Sequence, residues 1–216
     1  MIQSFQIAVP KTAHYYAMQA DVLQQEIWLL FHGYGQSAEH FLQHFRHFDK
    51  VNALRIAPEG HSRFYLKGFD GRVGASWMTR EKREFEIKDQ HHFIDQLIQH
   101  LDPNKEYKLN LLGFSQGAAV ACRWYQHTDR KVQNLVVWGA GLPIETDDRM
   151  AEKYNACRLI FMLGNQDPFL TEEKQNEFYA TLNKLQFRHL VIKYEGAHNI
   201  DKNVLEELKL ALNSKI

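Results

Sequence analysis

The sequence predicts a single α/β domain spanning 1–216, with a mainly parallel central sheet covered by helices on both faces. Three observations predict it. Short apolar, β-rich runs alternate with longer amphipathic stretches along the chain. Runs such as "IWLLF" at 27 to 31 have the unbroken apolar character of a strand buried on both faces. One such run, "LNLLGFSQGAAVA" at 109 to 121, ends in spaced glycines around a serine and passes at once into small residues. A strand there gives way to a helix through a tight turn.

Taken in order, "SFQIAV" and "YYAMQA" read as a hairpin pair, and "EIWLLFHG" as a buried strand. Residues 37 to 48 carry Phe41, Phe45 and Phe48 at helical spacing, with Ser37 as cap and Glu39 in the first turn. "ALRIAPEG" is a strand that runs into the longest loop, about 58 to 83, which forms at most a partial cover and no large cap domain. From 84 to 101, Ile87, Ile94, Leu97, Ile98 and Leu101 share one helical face, and Pro103 closes the helix. "YKLNLLGF" is a strand and 116 to 127 a helix. "QNLVVWGAG" and "CRLIFMLGN" are strands, followed by a helix near 171 to 184. "RHLVIKYEG" is the last strand and 200 to 213 the last helix. In a sheet of this kind, ligands bind beyond the carboxyl ends of the strands.

A domain of 216 residues buries about 70% of its unfolded surface and needs no metal or disulfide to hold it. Cys122 and Cys157 are therefore expected to be reduced and buried, as in a cytoplasmic protein. Lys+Arg and Asp+Glu are equal at 26, which argues against nucleic acid as a partner. The opening "MIQSFQIAVPK" lacks the basic segment and apolar core of a signal peptide, and no apolar run approaches the roughly 20 residues of a membrane span.

The turn "GFSQG" fits Gly-x-Ser-x-Gly in a strand–turn–helix context. Gly113 and Gly117 let strand and helix approach, so the hydroxyl of Ser115 stands at the sheet's edge. A serine hydroxyl needs a neighbouring base. His198 in "YEGAHNI" lies between the last strand and the last helix, at the same edge. Most of the 12 histidines fit other places. His91, His92 and His100 read as surface positions of a helix. His40 and His44 have metal spacing but no accompanying ligand pattern, so no metal or other cofactor is expected. His32 reads as a structural member of its loop.

A base histidine needs an acid to hold its tautomer. Asp167 in "LGNQDPF" follows a strand, with Asp147 and Asp148 as competitors ranked below it. For the oxyanion, the N–H of Gln116 directly follows the serine, and Tyr34 between Gly33 and Gly35 in "FHGYGQS" supplies a second donor. A histidine base works only when neutral, so activity is expected to fall below a pH of about 6 to 7.

The stretches "LLFHGYGQS", "LLGFSQGAAVA", "VVWGAGLP", "LGNQDPF" and "YEGAHNI" resemble, in order and spacing, the carboxylesterase/phospholipase family of α/β-hydrolases, which includes the acyl-protein thioesterases. The resemblance covers nearly the whole chain and implies the α/β-hydrolase fold. It implies Ser115 as nucleophile, Asp167 as acid, His198 as base, and Tyr34 and Gln116 as oxyanion donors. "ASW" at 75 to 77 resembles a serine–tryptophan pair near the family's acyl site, which makes Trp77 a pocket candidate. The chain departs from the family at "PEGHSRFYLKGFDGRVGASWMTRE", and after the acid, where Phe169 and Leu170 stand in place of two valines. Phe169 is thereby a second pocket candidate. In the divergent loop, Arg63, Lys67 and Arg72 read as a solvated face, the alternative being a cationic rim for an anionic leaving group. Phe64, Tyr65 and Phe69 read as packing residues.

The expected activity is hydrolysis of small carboxylic esters through an acyl-enzyme. Thioesterase or lysophospholipase activity on the same three side chains is the alternative, and a binding protein on an inactive hydrolase fold is a reading of another class. Dinucleotide binding through "WGAGLPI" fails for want of a third glycine, where Ile144 stands, and of an acidic partner near Gly164. The expected partner is a small ester or thioester. A homodimer is compatible with the sequence, although no exposed apolar helix marks one.

Overall fold

A computed structural model describes residues 1–18, 25–48, 53–102, 104 and 106–214. Within them, the strands are β1 (Tyr15–Met18), β2 (Glu26–Phe31), β3 (Ala53–Pro58), β4 (Ser62–Lys67), β5 (Asp70–Ser76), β6 (Lys108–Phe114), β7 (Val132–Trp138), β8 (Arg158–Gly164) and β9 (His189–Tyr194). The helices are α1 (Ala38–Gln43), α2 (Arg83–Leu101), α3 (Gln116–His127), α4 (Ala151–Asn155), α5 (Glu172–Leu185) and α6 (Lys202–Asn213).

Seven strands form one sheet in the order β1-β3-β2-β6-β7-β8-β9. β1 is antiparallel to β3, and every other neighbouring pair is parallel. Alternation along each strand divides the core in two. Ile27, Leu29 and Phe31 of β2 face α2, α3 and α5, together with Ile94, Ala121, Trp124 and Leu182. Trp28 and Leu30 face the other way, onto Phe41 and Leu42 of α1 and onto Leu205 and Leu208 of α6. The sheet is therefore buried on both faces, and its free polar ground is the edge where strands end and loops begin. This is the α/β-hydrolase architecture that the sequence predicts. Among the described residues, no helix is long and apolar enough to cross a membrane. Cys122 and Cys157 are buried and unpaired.

The structure corrects five expectations. Residues 4–9 form no strand: Phe5, Ile7 and Val9 are exposed. β1 instead takes its ladder from β3, with Tyr15 opposite Pro58 and Met18 opposite Arg55. The rest of the expected second strand, Gln19 and Ala20, lies outside the described residues, as does Pro103.

The long loop is in large part a two-stranded antiparallel hairpin, β4–β5. Gly68 and Gly71 at its tip have φ of 60° and 84°, a conformation glycine adopts without strain. Its short, mostly exposed strands carry too little hydrophobic alternation to announce themselves. Phe69, expected to pack, is 97% exposed at that tip.

The helix expected over 37 to 48 is regular only to Gln43. Beyond it, His44, Phe45, Arg46 and Phe48 each donate to the carbonyl three residues back, the tighter turn that still buries Phe45 and Phe48. Arg55 reaches across to the Phe45 carbonyl at 2.9 Å.

His91 is not a plain surface residue. Its ring stacks on His127 at 4.3 Å, and its Nε2 is buried without a hydrogen bond. Burial first, and then the neighbouring His127, hold its pKa down from 6.5 to about 4, against the opposing pull of Asp95. In the unfolded chain the ordinary value returns. The stability contributed by a neutral His91 is thus complete above pH 6.5 and is lost as the pH falls through about 4. Urea unfolding at neutral pH and at about pH 5 is expected to show a lower midpoint in acid, and His91→Gln is expected to narrow that gap. A gap unchanged by the substitution would refute the assignment.

Candidate active site

Three loops at the carboxyl edge of β6, β8 and β9 carry the predicted side chains. β6 ends at Phe114 and α3 begins at Gln116, so Ser115 alone makes the turn. It does so at φ 53°, ψ −117°, outside the regions open to an L-residue without strain. Such a conformation costs on the order of 1–3 kcal/mol and persists only where its surroundings enforce it. Here they are the two glycines. A Cβ on Gly113 would lie 2.3 Å from the Gly117 carbonyl oxygen, and one on Gly117 would lie 2.1 Å from that of Phe31. The Ser115 N–H is held by the Trp138 carbonyl at 2.9 Å. Gly117→Ala is expected to push α3 off the end of β2 and to destabilise the fold by about 1–3 kcal/mol or more, read as a lowered urea midpoint. An unchanged midpoint would show that the contact is not tight.

The loops after β8 and β9 are knitted together. Gln166 N–H donates to Gly196 O at 2.9 Å, and Gly196 N–H to Asn165 Oδ1 at 3.2 Å. This seats Asp167 against His198, with Oδ2 2.6 Å from Nδ1. The carboxylate is fully buried, and its other oxygen accepts the Phe169 N–H at 2.8 Å. A carboxylate only accepts, so Nδ1 donates, and the neutral ring's lone pair lies on Nε2. The competitors are absent from this ring: Asp147 is paired with Arg149, and Asp148 opens a short 3-10 turn to Met150.

The His198 ring is fixed by what it touches. Phe114 lies beneath it at 4.7 Å, and Phe169 meets it edge-on at 4.8 Å. Gly139, at φ 63°, packs so closely that a Cβ there would be 3.0 Å from its Cε1. Phe114 directly precedes Ser115, and Gly139 follows the residue that holds the Ser115 N–H. His198 is thus brought over the serine's own turn. Among the described residues, the Ser115 hydroxyl makes no hydrogen bond.

The second donor loop follows β2. Gly33 N–H bonds the Gln36 side chain at 2.7 Å, Gln36 N–H returns to Gly33 O at 3.2 Å, and Gly35, at φ 72°, donates to Ala75 O at 2.9 Å. The N–H groups of Tyr34 and Gln116 have no partner among the described residues. Gln116, as the first residue of α3, has no carbonyl a turn behind it to bond. The contact of Gly117 with Phe31 sets that helix start against this loop. The Tyr34 side chain points away, 65% exposed and with its ring tilted against Phe64 of β4 at 5.5 Å.

Behind the loop, His32 is fully buried, donating from Nδ1 to Gly33 O at 2.8 Å and accepting the Gly60 N–H on Nε2 at 3.0 Å. That is the structural place its sequence context predicts. Burial lowers its pKa to about 4, so it stays neutral and keeps that acceptor. Trp77 departs from expectation. It is 1% exposed, its indole N–H donates to the His32 carbonyl at 2.9 Å, and its ring offers no surface to a ligand. Phe169, 60% exposed, stands at the open side of His198. Sequence reasoning missed Gly139 and the side chains of Gln36 and Gln116. The last ties the helix start to Trp77 N–H at 2.9 Å and to Met78 O at 2.8 Å. The glycine after "VVW" was the one available signal.

A model of the serine hydrolase (FSH1) family matches residues 22–203. No curated protein matches the chain. Among solved structures, a carboxylesterase from Mesorhizobium loti superposes with a TM-score of 0.72 at 14% identity, covering 94% of this chain and 95% of that one. The Zea mays acyl-protein thioesterase 2 gives 0.70 at 17% identity, covering 93% and 98%. A Bacillus cereus carboxylesterase gives 0.67 at 14%, covering 92% of each. At these identities the likeness is one of fold.

Proposed function

The chain belongs to the FSH1 serine hydrolase family, and on that premise we propose that it cleaves carboxylic esters through an acyl-enzyme on Ser115. Ser115 Oγ attacks the ester carbonyl carbon while His198 Nε2 takes the hydroxyl proton. The carbonyl oxygen becomes an oxyanion and rests on the N–H groups of Tyr34 and Gln116, each such donor being worth about 3 kcal/mol. Collapse of the intermediate breaks the bond to the alcohol oxygen, which leaves with the proton from His198. Water, deprotonated by His198, then attacks the acyl carbon, and the acid departs as Ser115 regains its proton. Asp167 keeps the imidazole in the working tautomer and stabilises the imidazolium.

The observation that carries this reading is the 2.6 Å Asp167–His198 bond, with the His198 ring packed on Phe114, the residue before a serine held in a strained turn whose hydroxyl makes no hydrogen bond among the described residues. A binding protein on the same fold would have no use for that strain. The test is turnover of p-nitrophenyl esters by the wild type and by Ser115→Ala. Equal turnover by both, or none by either, would overturn the proposal.

A further inference from the structure

Tyr34 and Gln116 stand on separate elements, and the end of β5 with the two residues after it touches both. On the Tyr34 side the contact is backbone. Gly35 N–H donates to Ala75 O at 2.9 Å, and Ala75 N–H donates to Gln36 O at 3.0 Å. A Cβ on Gly74 would lie 2.1 Å from Gly35 O, so the two segments are in close contact. On the other side the contact is a single side chain. The Gln116 carboxamide accepts Trp77 N–H on Oε1 at 2.9 Å and donates from Nε2 to Met78 O at 2.8 Å. Its Nε2 also lies 3.3 Å from Ser76 Oγ. Among the described residues, this carboxamide bonds only to residues 76–78. The receiving segment is itself fixed. Trp77 is 1% exposed, its indole bonds the His32 carbonyl, and its own carbonyl accepts Gln90 Nε2 from α2. The bonds to Trp77 and Met78 therefore hold Gln116, rather than the reverse.

We propose that the Gln116 side chain is a positioning residue for the oxyanion site: through Trp77 and Met78 it holds its own backbone N–H in a fixed relation to the Tyr34 loop. The inference rests on the ester-hydrolase reading above and deepens it. The contact of Gly117 with Phe31 O is steric and sets how close the start of α3 lies. The carboxamide bonds are directional and set how it is turned. An amide suits the place because one end accepts and the other donates. The charge on the carbonyl oxygen develops only in the transition state, so a misdirected donor lowers kcat and leaves KM alone. Losing one donor outright costs about 10²- to 10³-fold, and a donor that is turned but retained should cost about 10- to 100-fold.

The experiment compares the wild type with Gln116→Leu, which removes both bonds, and with Gln116→Glu. The latter keeps the shape and the acceptor for Trp77 N–H but sets a carboxylate oxygen against Met78 O. Three quantities are measured: kcat and KM on p-nitrophenyl acetate, the inhibition constant of an alkyl trifluoromethyl ketone, and the urea midpoint. Ser115 Oγ adds to the ketone carbon, its proton passes to His198, and the carbonyl oxygen becomes the oxyanion, so this inhibitor reports the donors directly. Both variants are expected to lose about 10- to 100-fold in kcat with KM nearly constant, and to bind the ketone more weakly by a similar factor. A kcat within about twofold of the wild type, whatever the urea midpoint, would make the side chain a structural brace only and overturn the proposal. So would a loss of activity that leaves ketone binding unchanged. Should Gln116→Leu not fold, Gln116→Glu decides alone; should neither fold, the side chain belongs to the fold and the proposal falls. In each of these cases Ser115-dependent turnover by the wild type leaves the parent reading intact. Turnover indifferent to Ser115→Ala would overturn the parent reading and this one with it.

Discussion

Ser115→Ala is expected to lower kcat on p-nitrophenyl esters by about 10⁴- to 10⁶-fold, with KM little changed. In the proposed route the hydroxyl is the one group that forms a bond to substrate, so its loss would remove the acyl-enzyme route altogether. What remains is the electrostatic help of the two free N–H groups, acting on direct attack by water. The burst of p-nitrophenol expected from acyl-enzyme formation should vanish with it. Stability offers a second reading of the same site. Alanine is as uncomfortable as serine at φ 53°, so Ser115→Ala should fold about as well as the wild type. Ser115→Gly removes the strain and should unfold at higher urea, with a gain of about 1 kcal/mol, while being equally inactive. A serine whose replacement by glycine stabilises the fold and abolishes turnover is one kept for chemistry. If Ser115→Gly were instead the less stable protein, the strain would not be real, and one argument for a reactive serine would go with it.

The sheet was legible because burial on both faces leaves a plain mark. "IWLLF" and "LIFML" admit no polar residue, and α3 was read at its observed bounds from the glycines that open it. The placement of Ser115, Asp167 and His198 at one edge of the sheet was legible for a related reason, since each follows a strand that could be recognised. Geometry inside the loops was not. Trp77 reads as a pocket residue from its motif, yet its indole is needed to bond the His32 carbonyl, a pairing between residues 45 positions apart. Gly139 leaves only a glycine in the sequence, and its purpose appears when His198 arrives from the far end of the chain. The β4–β5 hairpin was hidden because its exposed strands do not need the alternation that betrays a buried one. The stretch with Phe5, Ile7 and Val9 failed in the opposite sense. It has the alternation without a paired edge in the described structure, and alternation without a partner does not make a strand.

Asp167→Asn should be nearly as damaging as loss of the serine, lowering kcat by about 10⁴-fold while leaving the fold in place. The asparagine keeps an oxygen that can accept the Phe169 N–H, so the loop retains its turn. What changes is the partner of His198. An amide can present its NH₂ to Nδ1, which then accepts, and the ring proton moves to Nε2. The imidazole would sit where it did, with the wrong nitrogen free, unable to take the Ser115 proton. Even in the correct tautomer, the imidazolium formed during attack would lose the buried negative charge that now lies 2.6 Å away. The effect should fall on kcat with KM nearly constant, because nothing that touches the ground-state ester has moved. Asp147→Asn is the control: its carboxylate is spent on Arg149, and turnover should be close to that of the wild type. A loss of less than about tenfold in Asp167→Asn would mean that His198 does not depend on this carboxylate. The acid would then have to be sought elsewhere.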